Sequence, residues 1–244
     1  MVNLSFSMQR YFAQVNYKDV ILTEDDVFHI LKVMRCKVGD EIQVVDKNSH
    51  QTYLARVKEL KPLKVEIVEP ILENVELNKD VTLFFALAKS DKIEFVIQKA
   101  TELGAKKVVL FQGKRSVVKF SNDDFNRKLN RFIAIAKEAA EQCHRQYYPE
   151  IIYITDIKNV ENYLCDLNLF AYELEAGQVT NLDSDIQEAK SFSIIIGPEG
   201  GFDESEAELL KRLNFKPISL GKRILRCETA AVYALSVISY LLDK

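Results

Sequence analysis

The sequence has few of the residues that build metal sites and disulfide frameworks. Its 244 residues include four cysteines and three histidines. The cysteines stand far apart, at positions 36, 143, 165 and 227, and no two of them form a CxxC pair. Zinc sites and disulfide scaffolds use closely spaced ligands, so neither is expected here. The sequence predicts a protein that binds no metal.

The chain also lacks a long apolar run and a large excess of one charge. No stretch approaches the roughly 18 apolar residues that suggest a membrane span, and the start, MVNLSFSMQRYFAQ, does not resemble a secretion signal. A cytoplasmic protein with no membrane partner is therefore expected. Thirty-three Lys and Arg face 36 Asp and Glu, a net charge of −3. A nucleic-acid partner would have to meet a local basic surface.

The first seventy residues contain short runs of strand-like composition. These are EIQVVD at 41–46, TYLARV at 52–57 and KVEIVE at 64–69, interrupted by one helical segment, DDVFHILKVMR. We predict a small β-barrel domain over residues 1–72. The apolar-poor segment LENVELNKD follows as a link to the rest of the chain.

Residues 73–244 show the pattern of an α/β domain. The apolar runs VTLFFAL, KVVLF, EIIYI, NLFAY and FSIII alternate with segments of helical periodicity. One helix is predicted at 91–103, with Asp91 as its cap, Glu94 as the cap's partner and Gly104 as its stop.

Three further helices are predicted in the same domain. One covers about 123–143, and a second is capped by Asp203 together with Glu206. The last, ETAAVYALSVISYLL, is apolar nearly all round. A surface helix of a monomer would not be, so we expect this helix to pack on both the sheet and a second subunit.

Basic residues concentrate in two parts of the α/β domain. Residues 106–137 hold nine Lys and Arg against two Asp, and residues 211–226 hold six with no acid. A helix face with scattered Lys and Arg is commonly just a solvated face, which is an equally good interpretation of the first cluster. The second cluster lies beside a glycine turn, where a site would form.

Two glycine turns carry the strongest functional signal. The segment FSIIIGPEGGFDESEAELL takes a buried strand directly into glycines and then into a capped helix, and PISLGKRILRCETAAVYAL repeats this order. Glycines at the carboxyl end of a strand let the backbone approach a ligand closely. Neither GxGxxG nor GxxxxGK[ST] is present, which argues against a nucleotide-dependent oxidoreductase or a phosphate loop.

Taken with KSDKIEFVIQKATELG, AEQCHR, QRYF and HILKVMR, these two segments resemble the RsmE-type ribosomal RNA uridine N3-methyltransferases of the SPOUT superfamily. The resemblance spans the whole chain in order. It implies an α/β fold in which a small PUA-like β-barrel precedes a SPOUT-type trefoil-knotted domain. It also implies S-adenosyl-L-methionine as cofactor and a homodimer. The implied substrate is a uridine in the decoding region of 16S ribosomal RNA, either as free RNA or, the favoured alternative, within the assembled small ribosomal subunit.

The resemblance places the cofactor on three loops, two of which are the glycine turns. The third is implied around Glu173 to Glu175, where this sequence is acidic and the family is more basic or carries a histidine. Backbone groups beside Ile and Leu can hold an adenine ring and a ribose. The implied cofactor residues are Leu174, Ile196, Gly197, Pro198, Glu199, Gly200, Gly201, Leu220, Gly221, Ile224, Leu225 and Thr229.

The implied reaction suggests two catalytic residues. Methylation at N3 of uridine removes an imide proton, and negative charge develops on the flanking carbonyl oxygens. We nominate Arg226 as the cation that holds the uracil and Glu228 as a proton acceptor. The competing interpretation, that Glu228 and Thr229 only cap the last helix, is slightly favoured. In-line positioning alone could also suffice, with no dedicated base.

RNA contacts are expected at five basic residues in the family-like segments: Arg10, Arg35, Lys89, Arg115 and Arg145. A different class of function is a non-catalytic ribosome-assembly or RNA-binding factor that keeps the fold. The intact glycine segments argue against that alternative.

Overall fold

The computed structural model describes residues 8–173 and 183–243. The chain divides into two compact units. The first contains the residues up to Glu76 together with the segment 140–147, and the second contains 77–139 and the chain from 148 onward. The segment 140–147 begins in the last turn of the longest described helix, Asn122–Gln142, and belongs to the first unit.

The first unit is a closed barrel of five strands in the order β1-β2-β5-β4-β3. The strands are β1 (Arg10–Asn16), β2 (Asp19–Ile21), β3 (Glu41–Asp46), β4 (Thr52–Leu60) and β5 (Leu63–Ile71). The pairing is antiparallel except between β1 and β3, which closes the barrel in parallel. This confirms the predicted barrel and its three predicted strands, while β1 and β2 were not predicted.

A short helix, α1 (Glu24–Phe28), lies within the first unit and continues into a π-helical turn at His29–Val33. Thr23 and Asp26 form a reciprocal capping box at its start. Inside the barrel, alternate strand residues form one apolar cluster. Its fully buried members are Tyr11, Ala13, Ile30, Ile42, Val44, Ala55, Val57 and Val65.

The second unit is built on a parallel sheet of six strands in the order β11-β9-β10-β6-β7-β8. The strands are β6 (Asp80–Ala86), β7 (Lys107–Phe111), β8 (Glu150–Ile154), β9 (Leu167–Ala171), β10 (Ser191–Ile196) and β11 (Phe215–Ile218). Buried clusters cover both faces of the sheet, which explains why its strands read as continuous apolar runs. The predicted α/β class is confirmed.

Among the residues that the structure describes, five α-helices accompany this sheet. They are α2 (Ser90–Glu102), α3 (Asn122–Gln142), α4 (Asp183–Glu188), α5 (Glu204–Arg212) and α6 (Cys227–Leu242), and a 3-10 helix spans Ile157–Tyr163. The final helix, α6, contacts both α2 and β10. In the described ranges, no helix has the length and apolarity needed to cross a membrane.

The predicted helix ends are partly correct. Asp203 and Glu206 form the expected capping box at α5, and Gly104 follows α2 with a φ of +85°. The predicted cap at Asp91 is wrong, because α2 begins one residue earlier and its N-cap residue, Lys89, makes no side-chain cap. Asp91 instead lies in the first turn, where a negative charge interacts favourably with the helix dipole.

Candidate cofactor and substrate site

The loops that follow β9, β10 and β11 meet at one edge of the sheet. These strands are neighbours, and the carboxyl ends of parallel strands share the edge where α/β folds bind ligands. With the first turns of α2 and α6, the loops enclose a cavity of about 570 Å³, a size suited to a small cofactor. Its lining residues are Lys92, Ala171, Tyr172, Glu173, Ile196, Gly197, Pro198, Glu199, Gly200, Gly201, Phe202, Ser219, Leu220, Gly221, Arg223, Ile224, Leu225, Arg226, Cys227 and Ala230.

The loop after β10 brings a tight glycine turn to the cavity. Gly201 has a φ of +69°, and its backbone N–H donates to the carbonyl of Pro198 at 2.9 Å, which closes a tight turn. A Cβ added at Gly197 would lie 3.1 Å from the ring of Phe202. The structure thus brings Ile196 and the five residues of the GPEGG segment together along one wall.

The loop after β11 supplies a second wall. Leu220, Gly221, Ile224 and Leu225 all line the cavity. Gly221 has a φ of +107°, a conformation that L residues rarely adopt, so its turn requires glycine. The side chain of Ile224 is 79% exposed. An apolar side chain this exposed beside a cavity is available to cover a flat ring.

The loop after β9 supplies the third wall through Tyr172 and Glu173. A Cβ added at Gly201 would lie only 2.5 Å from Oε1 of Glu173, so the carboxylate lies directly against the GPEGG turn. Leu174, predicted to bind the cofactor, lies outside the described residues.

The two residues nominated for catalysis differ in their placement. Arg226 lines the cavity as the N-cap residue of α6 and is exposed. Glu228 is not among the lining residues. Its Oε2 lies 3.3 Å from Nζ of Lys92 and 3.2 Å from Sγ of Cys227.

The contacts of Glu228 do not suit a proton acceptor. Burial raises the pKa of its carboxyl, but its own backbone amide, Cys227 and Lys92 together outweigh that effect and the pKa is lowered. A carboxylate with a lowered pKa is a weaker base. These contacts favour the structural interpretation, with Glu228 in the first turn of α6, and its role as a proton acceptor stays a prediction. Thr229 is exposed, is not among the cavity-lining residues and is not the cap residue, and its cofactor contact also stays a prediction.

Three of the five predicted RNA-binding residues have exposed side chains. Lys89 precedes α2, and Arg35 has a φ of +54° after the helical segment of the barrel unit. Arg115 is half-exposed and donates through Nη1 to the carbonyl of Gly200 at 3.1 Å. Arg115 is therefore hydrogen-bonded directly to a residue of the cavity wall.

The other two are buried and engaged within the first unit. Arg10 is 1% exposed, and its guanidinium donates to Oε1 of Gln43 and to the carbonyl of His144. Arg145 is 4% exposed and donates through Nη2 to Glu76 at 2.6 Å. The predicted RNA contact is corrected for both, because a guanidinium that is buried and hydrogen-bonded cannot reach a phosphate without losing those partners.

Two charged residues at the cavity were missed by the sequence reasoning. Arg223 lies in the basic run beside the second glycine turn, and Lys92 is the third residue of α2. A signal for Lys92 did exist, because the positive end of a helix dipole disfavours a lysine in the first turn. Such a residue needs acidic partners, and those partners come from distant parts of the sequence.

Comparison with known proteins agrees with this architecture. A family model described as an RNA methyltransferase domain matches residues 75–239. A second, described as an RNA methyltransferase PUA domain, matches residues 22–69. These two matches, which together cover the α/β unit and most of the barrel, identify the chain as an RNA methyltransferase.

Individual relatives narrow the class. The chain is 36% identical over 96% of its length to the ribosomal RNA small subunit methyltransferase E of Bacillus subtilis strain 168, and it covers 96% of that protein. It is 32% identical over 94% of its length to the protein of the same name from Mesomycoplasma hyopneumoniae strain 232, of which it covers 98%. The chain belongs to the family of ribosomal RNA small subunit methyltransferases E, the RsmE type.

Solved structures share the fold. A putative methyltransferase from Legionella pneumophila, solved with its bound cofactor SAM, matches with a TM-score of 0.85 and 27% identity over 96% of this chain and 97% of that chain. A ribosomal RNA small subunit methyltransferase E from Neisseria gonorrhoeae, solved with S-adenosyl methionine, shares the fold with a TM-score of 0.83 at 23% identity, covering 96% of this chain and 98% of that chain.

Proposed function

We propose that this protein transfers a methyl group from S-adenosyl-L-methionine to N3 of one uridine in the decoding region of 16S ribosomal RNA. The observation that carries the proposal is the meeting of two glycine loops and the exposed Arg226 at one cavity, in a chain of the RsmE type. Bound there, the cofactor would supply a methyl group on a sulfonium. The substrate would be the assembled small ribosomal subunit.

The cavity residues fit such a cofactor. The turns at Gly201 and Gly221 carry no side chain that would keep a ligand away from the backbone, and a side chain at Gly197 would meet Phe202. Backbone groups can hydrogen-bond the edge of an adenine ring and a ribose, while Leu220, Ile224 and Leu225 offer apolar walls. We therefore propose these residues as the cofactor site.

We propose that Arg226 is the residue that acts on the uracil. When N3 of uridine loses its imide proton, negative charge spreads to the two flanking carbonyl oxygens. A guanidinium can hydrogen-bond such oxygens and stabilise that charge. Arg226 forms no ion pair with a described residue, so its donors are available. With Glu228 held by Lys92, the proton passes to water at this exposed rim, and positioning supplies the rest.

The exposed arginines and lysines would position the RNA. Lys89 and Arg115 lie in the second unit and Arg35 in the first, and all three side chains reach solvent. Such residues bind phosphates and stack on unpaired bases. A base paired in the subunit would have to leave its stack to reach the cavity.

We further propose a homodimer, cytoplasmic like its ribosomal substrate. On α6, Tyr233, Val237 and Tyr240 follow helical spacing and are 46%, 43% and 65% exposed. The opposite side of the same helix is buried against α2 and the sheet. A second copy would cover the exposed stripe. Val237→Glu should convert the protein to monomers in analytical ultracentrifugation, and an unchanged sedimentation coefficient would contradict the proposal.

The trefoil knot implied by the resemblance also stays a proposal. Its support is the course of the chain: β11 lies at the edge of the sheet, and α6 then returns to contact β10 and α2. A chain that threads through its own fold to form a trefoil knot must make a return of this kind.

One experiment tests the enzyme, the cofactor and the substrate together. Purified protein is incubated with methyl-labelled S-adenosyl-L-methionine and small ribosomal subunits that lack the modification, and the RNA is digested to nucleosides. Label in 3-methyluridine from a single site is expected. Cofactor binding without label would instead favour the non-catalytic assembly factor, and label in another nucleoside would replace the uridine assignment.

A further inference from the structure

Lys92 links three elements that the chain brings to the cavity. Its Nζ lies 3.1 Å from Oε1 of Glu199, in the GPEGG loop, and 3.3 Å from Oε2 of Glu228, in the first turn of α6. Sγ of Cys227 lies 4.0 Å away. One ammonium on α2 therefore bridges two carboxylates that are separated by 29 positions in the sequence and belong to two different elements, the GPEGG loop and α6.

The cluster of Lys92, Glu199 and Glu228 is more shielded from water than an ordinary surface ion pair. The side chains of Lys92, Glu199 and Glu228 are 21%, 28% and 18% exposed, so water screens their charges only in part. Burial lowers the pKa of Lys92, but the hydrogen bonds and charges of Glu199, Cys227 and Glu228 outweigh burial and raise it. Lys92 stays protonated, even though it lies in the first turn of a helix, where the dipole disfavours a cation.

Each carboxylate adjoins a different functional part of the cavity. Glu199 directly precedes Gly200 and Gly201, whose turn borders the proposed cofactor site. Glu228 lies two residues after Arg226, the proposed uracil-binding residue. Holding both carboxylates with one ammonium fixes the GPEGG turn and the start of α6 relative to each other.

We infer that Lys92 is a positioning residue that couples the cofactor loop to the helix start carrying Arg226. This inference rests on the proposed function, since it assigns the coupling to the site of methyl transfer. Its consequence is that neutralising Lys92 weakens cofactor binding and turnover together. A residue that only stabilised α2 would affect neither at temperatures where the protein is folded.

The test compares Lys92→Met, which keeps an unbranched apolar stem and removes the ammonium, with Lys92→Arg, which keeps the charge. Lys99→Met is the matched control, because Lys99 lies on the same helix and pairs with Glu102 away from the cavity. Affinity for S-adenosyl-L-methionine is measured by calorimetry and kcat and KM by methyl transfer. The unfolding midpoint of each variant is recorded to verify that it is folded.

Lys92→Met should bind the cofactor about tenfold more weakly and lower kcat, while Lys92→Arg stays within about threefold of wild type and Lys99→Met is unchanged. Adding Glu199→Gln to Lys92→Met should then cost little more affinity. Wild-type affinity in Lys92→Met, or equal losses in Lys92→Met and Lys92→Arg, would overturn the inference.

Two further variants apply if Lys92→Met does not fold. Glu199→Gln and Glu228→Gln each remove one half of the bridge, and each should weaken cofactor binding, by about threefold or more. Wild-type affinity in both would reject the coupling. If wild-type protein binds the cofactor but methylates no RNA, the proposed function fails, yet the binding comparison still decides the role of Lys92.

Discussion

The carboxylate of Glu173 lies against the Cα of Gly201, so that a Cβ at this position would be 2.5 Å from Glu173 Oε1. Gly201 also has a φ of +69°, which L residues rarely adopt. Two separate constraints therefore require glycine here: the turn needs its backbone conformation, and the neighbouring loop occupies the space that a side chain would fill.

Gly201→Ala should weaken binding of S-adenosyl-L-methionine by tenfold or more, because the added methyl group displaces Glu173 or the turn itself. Calorimetry measures this. Gly39→Ala is the matched control, since Gly39 has a φ of +98° in the barrel unit but no atom within 4 Å of an added Cβ. The control should lose about 1–3 kcal/mol of stability and keep its cofactor affinity. Equal affinity in Gly201→Ala and wild type would remove this turn from the site.

Arg226→Ala should bind the cofactor normally and lose turnover by about 100-fold, because removing a donor aimed at developing charge typically has an effect of this size. Single-turnover methyl transfer to small ribosomal subunits measures it. Arg212, an exposed arginine of α5 outside the cavity lining, provides the control Arg212→Ala. Near-normal turnover in Arg226→Ala would reject the role of this residue on the uracil.

Arg10→Met should destabilise the protein rather than alter RNA contact directly. The change leaves Oε1 of Gln43 and the carbonyl of His144 without their buried donor, a loss of about 3 kcal/mol in the free energy of unfolding. Urea denaturation gives the value. Arg35→Ala, at an exposed position, should unfold at nearly the wild-type urea concentration but bind RNA more weakly. The reverse pattern would restore Arg10 as an RNA-binding residue.

The raised pKa of the Cys227 thiol predicts that the free energy of unfolding falls at high pH. Burial, followed by the hydrogen bond to Glu228, raises its pKa from 9.0 to about 12. Above about pH 9 the unfolded chain therefore releases this proton while the folded chain retains it, so the free energy of unfolding falls as pH rises toward the folded pKa.

Cys227→Ala should accordingly lose less stability than wild type between about pH 9 and about pH 11, by up to ~1.4 kcal/mol per pH unit. Urea unfolding at several pH values tests this difference. If the two proteins lost stability equally with pH, the thiol would have the same pKa in the folded and the unfolded chain, and the prediction would be wrong.

The glycine turns could be recognised from sequence because their requirement is local. Gly201 and Gly221 adopt backbone conformations that only glycine enters freely, and Gly201 follows an apolar strand, β10, whose residues 192–196 are all buried. The apolar runs of β6 to β10 were readable because a parallel sheet covered on both faces takes apolar residues on both sides of its strands. Strands β1 and β2 were missed because β1 is buried without alternation at residues 10–13 and β2 has three residues.

Arg10 and Arg145 show where local reasoning fails. An arginine near a family-like motif suggests RNA contact, but its environment depends on what the fold places around it. Gln43 and His144 surround Arg10 from 33 and 134 positions away, and Glu76 pairs with Arg145 from 69 positions away. No sequence window contains those partners.

The sequence by itself determined the two-part class of the protein, the order of its sheet-forming runs and the glycine turns, since these depend on periodicity and on backbone freedom within a few residues. Only the tertiary structure decided which charged side chains reach solvent and which are held by other residues. Lys92 meets Glu199 and Glu228, and Glu173 meets Gly201, through parallel strand order and the packing of α2 against α6. Electrostatic and steric interactions act through space, and the spacing of residues along the chain does not record those distances.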